Sequence, residues 1–235
     1  MSQYRSEPDD ARSTNTRQHR AHERAVHLPP LGLAGTLRIP EHARGVVIFA
    51  HGSGSSRFSP RNIAVAHSLN YHGYGTLLLD LLTDVESRDR RNVFDIPLLA
   101  ERLLMAVQFL DSDPDAVGLP IGLFGASTGA GAALVAAAEL GRRVGAIVSR
   151  GGRPDLAGSA LDRVISPTLL IVGGADSVVA QLNRAALAHL RGDSEMTIVP
   201  GATHLFEERG ALEEVMRLAN EWFSMHLAPR SDAES

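Results

Sequence analysis

Cysteine is absent from this chain of 235 residues. Without thiols it can form no disulfide, no thiolate nucleophile and no cysteine-ligated metal site. The chain also lacks an apolar run of about 18 residues, the length that crosses a bilayer, and its first residues are polar where a signal peptide needs an apolar stretch. We therefore expect a fold that depends on packing, no membrane partner and a cytoplasmic location.

An excess of positive charge is also missing. Lysine and arginine total 23 against 27 aspartates and glutamates, which gives a formal net charge of −4. This balance argues against a nucleic-acid partner. The sequence also has no histidine and aspartate clusters with the spacing of metal ligands. His67 and His72 lie near each other but are expected to be surface side chains. We expect no metal and no organic cofactor, and the sequence leaves the oligomeric state open.

The composition divides the chain into one domain and two polar tails. Residues 1–22 have too few apolar side chains to offset the entropy of ordering them, so they are predicted to be a disordered tail. Residues 23–228 have the length of a single α/β domain, and residues 229–235 form a second tail. No internal repeat is visible.

Strands and helices alternate along the predicted domain. Two antiparallel strands at one sheet edge are followed by buried strands and amphipathic helices, and residues 83–92 form a charged loop. The predicted strands are 25–28, 31–39, 44–50, 75–82, 121–124, 144–149, 168–172 and 196–199; the predicted helices are 62–71, 95–110, 130–140, 156–164, 179–190 and 211–227. This order predicts an α/β fold, a mostly parallel sheet with helices on both faces and functional loops at one edge.

The strand at residues 121–124 leads through Gly125-Ala126-Ser127-Thr128-Gly129 into an alanine-rich helix. This G-x-S-x-G pattern is the strand-turn-helix arrangement that presents a nucleophilic serine. The turn strains the serine backbone and is tolerated only where the residues two before and two after it lack a Cβ. By themselves, however, the five residues are equally compatible with an ordinary glycine-rich turn.

Chain order favours the catalytic interpretation. A serine hydrolase of this architecture places its residues in the order serine, acid, histidine. Ser127 follows the predicted strand 121–124, Asp176 follows a later strand and His204 follows the last one, which is the same order. His204 would take the Ser127 proton, and Asp176 would orient the imidazole. Alternatives remain, since Asp176 could cap the next helix and His204 could be a surface histidine.

Two further aspartates end predicted strands or begin the loops after them. Asp155 is a rival for the acid role, whereas Asp80 precedes Ser127 and is expected to be structural. Acyl transfer also needs donors for an oxyanion. The backbone N–H groups of Thr128 and Ser53 are the predicted donors, and His51 is expected to hold the Ser53 loop in place.

The motifs H-G-S-G, G-A-S-T-G, G-G-A-D and G-A-T-H, in this order, resemble an α/β-hydrolase of the dienelactone hydrolase-like branch. The resemblance covers residues 25–227 and implies an α/β-hydrolase fold without a large lid domain. The longer stretches H-G-S-G-S-S-R, S-R-G-G-R-P-D and P-G-A-T-H-L-F-E resemble bacterial members that occur alone or fused to a phosphoribosyltransferase domain. Dienelactone hydrolase proper uses a cysteine nucleophile, so its substrate is not inherited by a chain with Ser127.

Four arginines lie in or beside loops predicted at the functional edge: Arg57, Arg61, Arg150 and Arg153. Arg57, Arg150 and Arg153 are candidate substrate-binding residues, because a guanidinium can hold a carboxylate or phosphate through two hydrogen bonds. The alternative is salt bridging to Asp80, Asp84 or Asp155. Residues 83–95 are too few for a large lid, so we expect a small or open acyl pocket.

These features predict a serine esterase that acts through an acyl-enzyme on a small carboxylic ester or lactone. The same residues could serve a thioester, an amide or a C–C bond, because the chemistry up to the tetrahedral intermediate is shared. A different class of function, a hydrolase-like fold kept as a binding module, would not need a nucleophile, an acid, a base and oxyanion donors together.

Overall fold

The computed structural model describes residues 22–227, and the two predicted tails lie outside this range except for His22, the first residue of the first strand. The strands are β1 His22–Leu28, β2 Leu33–Ile39, β3 Val46–Ala50, β4 Gly75–Leu79, β5 Ile121–Ala126, β6 Val144–Arg150, β7 Thr168–Gly173 and β8 Ser194–Val199. The α-helices are α1 Pro60–Tyr71, α2 Arg90–Val93, α3 Ile96–Ser112, α4 Thr128–Leu140, α5 Ser177–Leu187 and α6 Ala211–His226. Short 3₁₀ segments cover Glu86–Arg88, Gly141–Arg143 and Pro154–Arg163.

The eight strands form one sheet in the order β1-β2-β4-β3-β5-β6-β7-β8. The pairs β1–β2 and β2–β4 are antiparallel, and all other neighbouring pairs are parallel. The mostly parallel sheet and its antiparallel edge are therefore confirmed. Because the parallel strands share a direction, the loops after β3 to β8 meet at one edge.

Every residue of β3, β4, β5 and β7 is buried, since helices cover both faces of the sheet. One apolar core lies beneath α3 and α4, and the other lies beneath α1 and α6. The alanine-rich sequence of α4 suits this position, because small side chains allow the helix to approach the sheet closely. No helix within residues 22–227 is long and apolar enough to cross a membrane.

Several predicted boundaries were wrong by a few residues. The strand predicted for residues 75–82 ends at Leu79. Asp80 N still donates to Ala34 O in β2, but Leu81 N donates to the His51 ring instead of to a neighbouring strand. The predicted loop at residues 83–92 contains the 3₁₀ segment Glu86–Arg88 and most of α2. Helix α5 begins at Ser177 instead of Val179, since the Asp176 side chain caps it by accepting from Val179 N.

Candidate active site

Ser127 occupies a strained turn between β5 and α4, with φ 51° and ψ −124°. Positive φ is costly for a residue with a Cβ and is characteristic of functional turns. Both flanking glycines are sterically required: a Cβ on Gly125 would lie 2.4 Å from Ala130 Cα, and one on Gly129 would lie 2.2 Å from Ala50 O. The steric reason predicted for G-x-S-x-G is therefore visible in the backbone. The turn places Ser127 at the N-terminal end of α4, where free N–H groups favour negative charge.

The loops after β7 and β8 pack backbone against backbone. A Cβ on Gly173 would lie 2.4 Å from Ala202 O, and Ala175 N donates to the same oxygen at 2.9 Å. This close approach brings Asp176 to His204, whose Nδ1 lies 2.8 Å from Asp176 Oδ2.

The Asp176 carboxylate has two partners. Its Oδ1 accepts from Val179 N at 3.3 Å, while Oδ2 faces the His204 ring. From the sequence, Asp176 could either cap the helix or orient the histidine. In the structure it does both, with one carboxylate oxygen for each contact. The exposed fraction of the Asp176 side chain is 16%.

The other two aspartates are occupied by arginines. Asp155 binds Arg153 through two hydrogen bonds, at 2.8 and 2.7 Å. Asp80 accepts from the Arg57 guanidinium and, at 2.7 Å, from Arg57 N. Two of the three arginines predicted to bind substrate therefore have a carboxylate of the fold as partner.

Ser127 and His204 line the same cleft, which has a volume of about 750 Å³. Other walls come from residues 52–56, from the start of α1 and from Arg150, and Phe58 and Leu205 also line it. Within the described part of the chain, the Ser127 hydroxyl makes no hydrogen bond. The structure thus brings serine and histidine to one cleft without joining them directly.

The loop after β3 passes very close to the nucleophile turn. A Cβ on Gly52 would lie 2.9 Å from Ser127 Cβ, so only glycine allows this approach. The backbone N–H of Ser53 donates to Thr128 Oγ1 at 2.9 Å. One of the two predicted oxyanion donors is thus already engaged by the side chain of the other residue.

His51 fixes the start of this loop through both ring nitrogens. Its Nε2 accepts from Leu81 N at 3.3 Å, so Nδ1 carries the proton and donates to Gly52 O at 3.0 Å. Burial lowers the pKa of His51, which keeps the ring neutral in this arrangement. This geometry agrees with the holding role predicted for His51.

Arg150, the last residue of β6, differs from the other arginines at this edge. Its guanidinium makes one hydrogen bond, from Nη2 to Asn62 Oδ1 at 3.3 Å, and its Nε and Nη1 are buried without a partner. Burial, with a smaller contribution from the charge of Arg61, lowers the pKa of Arg150 to about 10. The side chain is therefore still charged at neutral pH.

A second, smaller cavity of about 240 Å³ is also lined by residues 52–56. Its apolar wall consists of Leu81, Leu82, Val93 and Leu99, and Thr128 also lines it. The loop that carries Ser53 thus borders both the cleft with the nucleophile and a partly apolar cavity.

Sequence reasoning missed the roles of Asn62 and of the Thr128 hydroxyl. Asn62 lies in the first turn of α1, and its proximity to Arg150 depends on the packing of that helix against the sheet. The only sequence signal for Thr128 is its place directly after Ser127. Among residues 22–227, no group of three or more His, Asp or Glu side chains is arranged to hold a metal ion.

Comparison with known proteins adds sequence relatives. Two curated proteins from two strains of Mycobacterium tuberculosis, which carry the provisional name phosphoribosyl transferase, are 60% identical over 198 residues. The match covers 84% of this chain but 45% of each relative, so the chain spans about half the length of the curated relatives that it matches.

Solved structures share the fold. A dienelactone hydrolase from Anabaena variabilis has a TM-score of 0.85 and 53% sequence identity, and the match covers 89% of this chain and 99% of that one. A carboxyl esterase from the fungus Tuber melanosporum has a TM-score of 0.71 at 15% identity, over 90% of this chain and 89% of its own. A dienelactone hydrolase-like promiscuous phosphotriesterase from metagenomic libraries has a TM-score of 0.72 at 17% identity, and the match covers 88% of this chain and 98% of that one. At these identities the last two show a common fold only.

The family model for dienelactone hydrolases matches residues 33–226, which include the nucleophile turn, Asp176 and His204. The order of the strands, the glycine-dependent turn and this family match all indicate the same fold. The chain belongs to the dienelactone hydrolase family and has the α/β-hydrolase fold.

Proposed function

We propose that the protein is a serine hydrolase that cleaves a small carboxylic ester or lactone through an acyl-enzyme at Ser127. The observation that carries this proposal is the strained Ser127 in a cleft shared with His204, whose ring is hydrogen-bonded to Asp176. A serine, an imidazole and a carboxylate in these relations are the parts of a nucleophilic triad.

The geometry at His204 sets the direction of proton transfer. Because Nδ1–H donates to Asp176, Nε2 is the nitrogen left to accept the Ser127 proton. Ser127 Oγ then attacks the carbonyl carbon, and the resulting tetrahedral intermediate expels the leaving alcohol, which receives the same proton from His204. In the second half, His204 takes a proton from water, the hydroxide attacks the acyl group, and Ser127 leaves with its proton restored.

The direct Ser127–His204 hydrogen bond has to form when substrate binds. Catalytic hydrogen bonds are often long in the free enzyme and shorten in the complex. The shared cleft and the fixed ring orientation support this step.

For the oxyanion, Thr128 N–H at the start of α4 is the first donor, and Ser53 N–H is the second. In the free protein Ser53 N–H donates to Thr128 Oγ1. The proposal therefore requires this N–H to turn from the threonine hydroxyl to the oxyanion, or to be shared between them. The close approach of Gly52 to Ser127 supports it, because it places the loop beside the reacting centre.

The two spaces beside the nucleophile support a small substrate. The cleft of about 750 Å³ and the cavity of about 240 Å³ share the Ser53 loop as a wall, and two separate spaces suit the two halves of an ester. The described part of residues 83–95 forms only short helical segments and no large lid.

The decisive experiment uses a serine-reactive fluorophosphonate together with 4-nitrophenyl acetate. We expect the probe to label Ser127 and Ser127→Ala to lower ester turnover at least about a thousandfold with the fold intact. Ser159→Ala, which changes an exposed serine outside the cleft, is the matched control and should leave labelling and turnover unchanged.

Two results would redirect the proposal. Well-folded protein that is neither labelled nor active on esters, lactones or thioesters would favour a binding module. Preferential turnover of acyl thioesters or of C–C substrates, with labelling at Ser127 retained, would keep the nucleophile and change the substrate class.

A further inference from the structure

Arg150 is a buried cation for which the described residues provide no anion. Its exposed fraction is 8%, and no carboxylate contacts it. Burying a charge without a partner costs several kcal/mol, because the lost hydration is not replaced. An anion that enters from outside the fold would offset this cost by pairing with the guanidinium.

The position of Arg150 links this charge to the nucleophile. Arg150 lies beside Ala126 in the β5–β6 register, and its carbonyl oxygen accepts from Ser127 N at 3.4 Å. Both Arg150 and Ser127 line the same cleft. A group that binds to Arg150 therefore belongs to the molecule that occupies the cleft during catalysis.

The remaining walls of the cleft also favour an anion. Its lining contains Arg61 and the N-terminal turn of α1 but no aspartate or glutamate. Helix α1 has 12 residues, and its N-terminal end carries partial positive charge. Glu207 binds Arg61 at 2.8 Å, but its side chain is 64% exposed and does not line the cleft.

The two neighbouring arginines show that this arrangement is specific to one position. Arg57 and Arg153 each have an aspartate as partner. Arg150 is the most buried of the three and has only the neutral amide of Asn62.

We propose that the substrate carries a carboxylate or phosphate group, and that Arg150 binds this group beside the scissile ester. This inference rests on the proposed serine hydrolase function and adds the charge of its substrate. Arg150 thus acts as a specificity-determining residue, with Asn62 orienting its guanidinium.

The test compares three 4-nitrophenyl esters of equal acyl length: the monoester of glutarate, its methyl ester, and the 4-phosphonobutyrate ester. We expect wild-type protein to prefer at least one anionic ester over the neutral methyl ester by about tenfold or more in kcat/KM. A carboxylate preference and a phosphonate preference both support the proposal and identify which anion is bound. A wild-type protein that shows no anionic preference overturns it without any variant.

Substitutions at the arginines test which residue causes the preference for anionic esters. Arg150→Met should lower kcat/KM for the preferred anionic ester at least about tenfold more than for the methyl ester, whereas Arg150→Lys should keep part of the preference. Arg153→Gln is the control and should retain the whole preference, because Arg153 already binds Asp155. An anionic preference that survives in folded Arg150→Met would assign the binding to another group.

This result is separable from the proposed function. If the fluorophosphonate labels Ser127 and the methyl ester is hydrolysed without an anionic preference, the serine hydrolase stands and only the anion site fails. If neither labelling nor turnover occurs, the proposed function itself fails.

Discussion

Arg102 and Arg150 are two arginines of nearly equal burial, with exposed fractions of 6% and 8%. Arg102 in α3 binds Glu86 at 2.9 Å, in the segment that follows β4. Arg150 has no carboxylate partner within residues 22–227. The fold provides a counterion where the arginine holds two segments together, and it provides none where the arginine faces the cleft.

The same contrast separates two aspartates. Asp155 is bound by Arg153 within a single loop, while Asp176 is directed at an imidazole that lines the cleft. Charges that are balanced locally stabilise the fold, and charges left for a histidine or an external ligand are available for chemistry. Whether a charged side chain has a partner within the fold therefore indicates its function better than its residue type does.

The largest effect should come from Asp176→Asn. The amide can still cap α5, but it no longer stabilises the charged imidazole or fixes its tautomer, so we expect kcat to fall about 10³-fold to 10⁴-fold. Ester hydrolysis under saturating substrate measures this loss. Asp155→Asn is the matched control, and a comparable loss there would assign the acid role to Asp155.

Glu86→Gln should lower stability with little change in the site. The substitution removes the nearer of two carboxylates at Arg102 and leaves Glu101, which lies 3.6 Å away and is 64% exposed. Because the Glu86 side chain is itself 26% exposed, we expect a loss of about 1 to 2 kcal/mol, below the range for a fully buried pair. Urea unfolding measures it. Arg150→Met, which removes an unbalanced charge, should not lose stability; an equal loss in both variants would contradict the comparison.

The Glu86 effect should also depend on pH. Hydrogen bonding from Thr83 and the charge of Arg102 lower the pKa of Glu86 below its ordinary value of about 4.5. The folded state therefore favours the ionised form, so this stabilisation is complete above that ordinary value and is lost as pH falls through the lowered pKa. The difference between wild type and Glu86→Gln should shrink under acid conditions.

Asn62→Asp would give Arg150 the internal counterion that it lacks. We expect a modest gain in thermal stability and a fall of about tenfold in the anionic preference, because the new carboxylate competes with the substrate. Asn62→Ala adds no competing charge and should keep more of the preference than Asn62→Asp, losing only the part that depends on the orientation of the guanidinium. A full preference in Asn62→Asp would show that Arg150 does not bind the substrate anion.

Much of the fold followed from local patterns. Continuous buried runs such as β3 and β5 and the helical spacing of α3 specify their elements, so type and order agreed with the structure while ends shifted by at most three residues. Those ends depend on contacts from distant residues, as at Asp80 and Leu81 after β4. The short helices within residues 83–95 escaped prediction because four-residue segments carry no clear period.

The candidate site could also be predicted in part from the sequence. Chain order and glycine spacing predicted that Ser127, Asp176 and His204 belong to one edge, and the structure brings Asp176 to His204 and places His204 and Ser127 in one cleft. The partners of the arginines could not be predicted. Arg57, Arg150 and Arg153 look alike in sequence, and any of several aspartates could have paired with each.

By itself, the sequence determined the type of most strands and helices, their succession along the chain and the strained serine turn, because apolar periodicity and glycine spacing are local features of the chain. Only the tertiary structure decided which charges are neutralised, because an ion pair depends on distances between groups far apart in the chain. Arg150 reaches Asn62, 88 residues away, and contacts no carboxylate of the described residues.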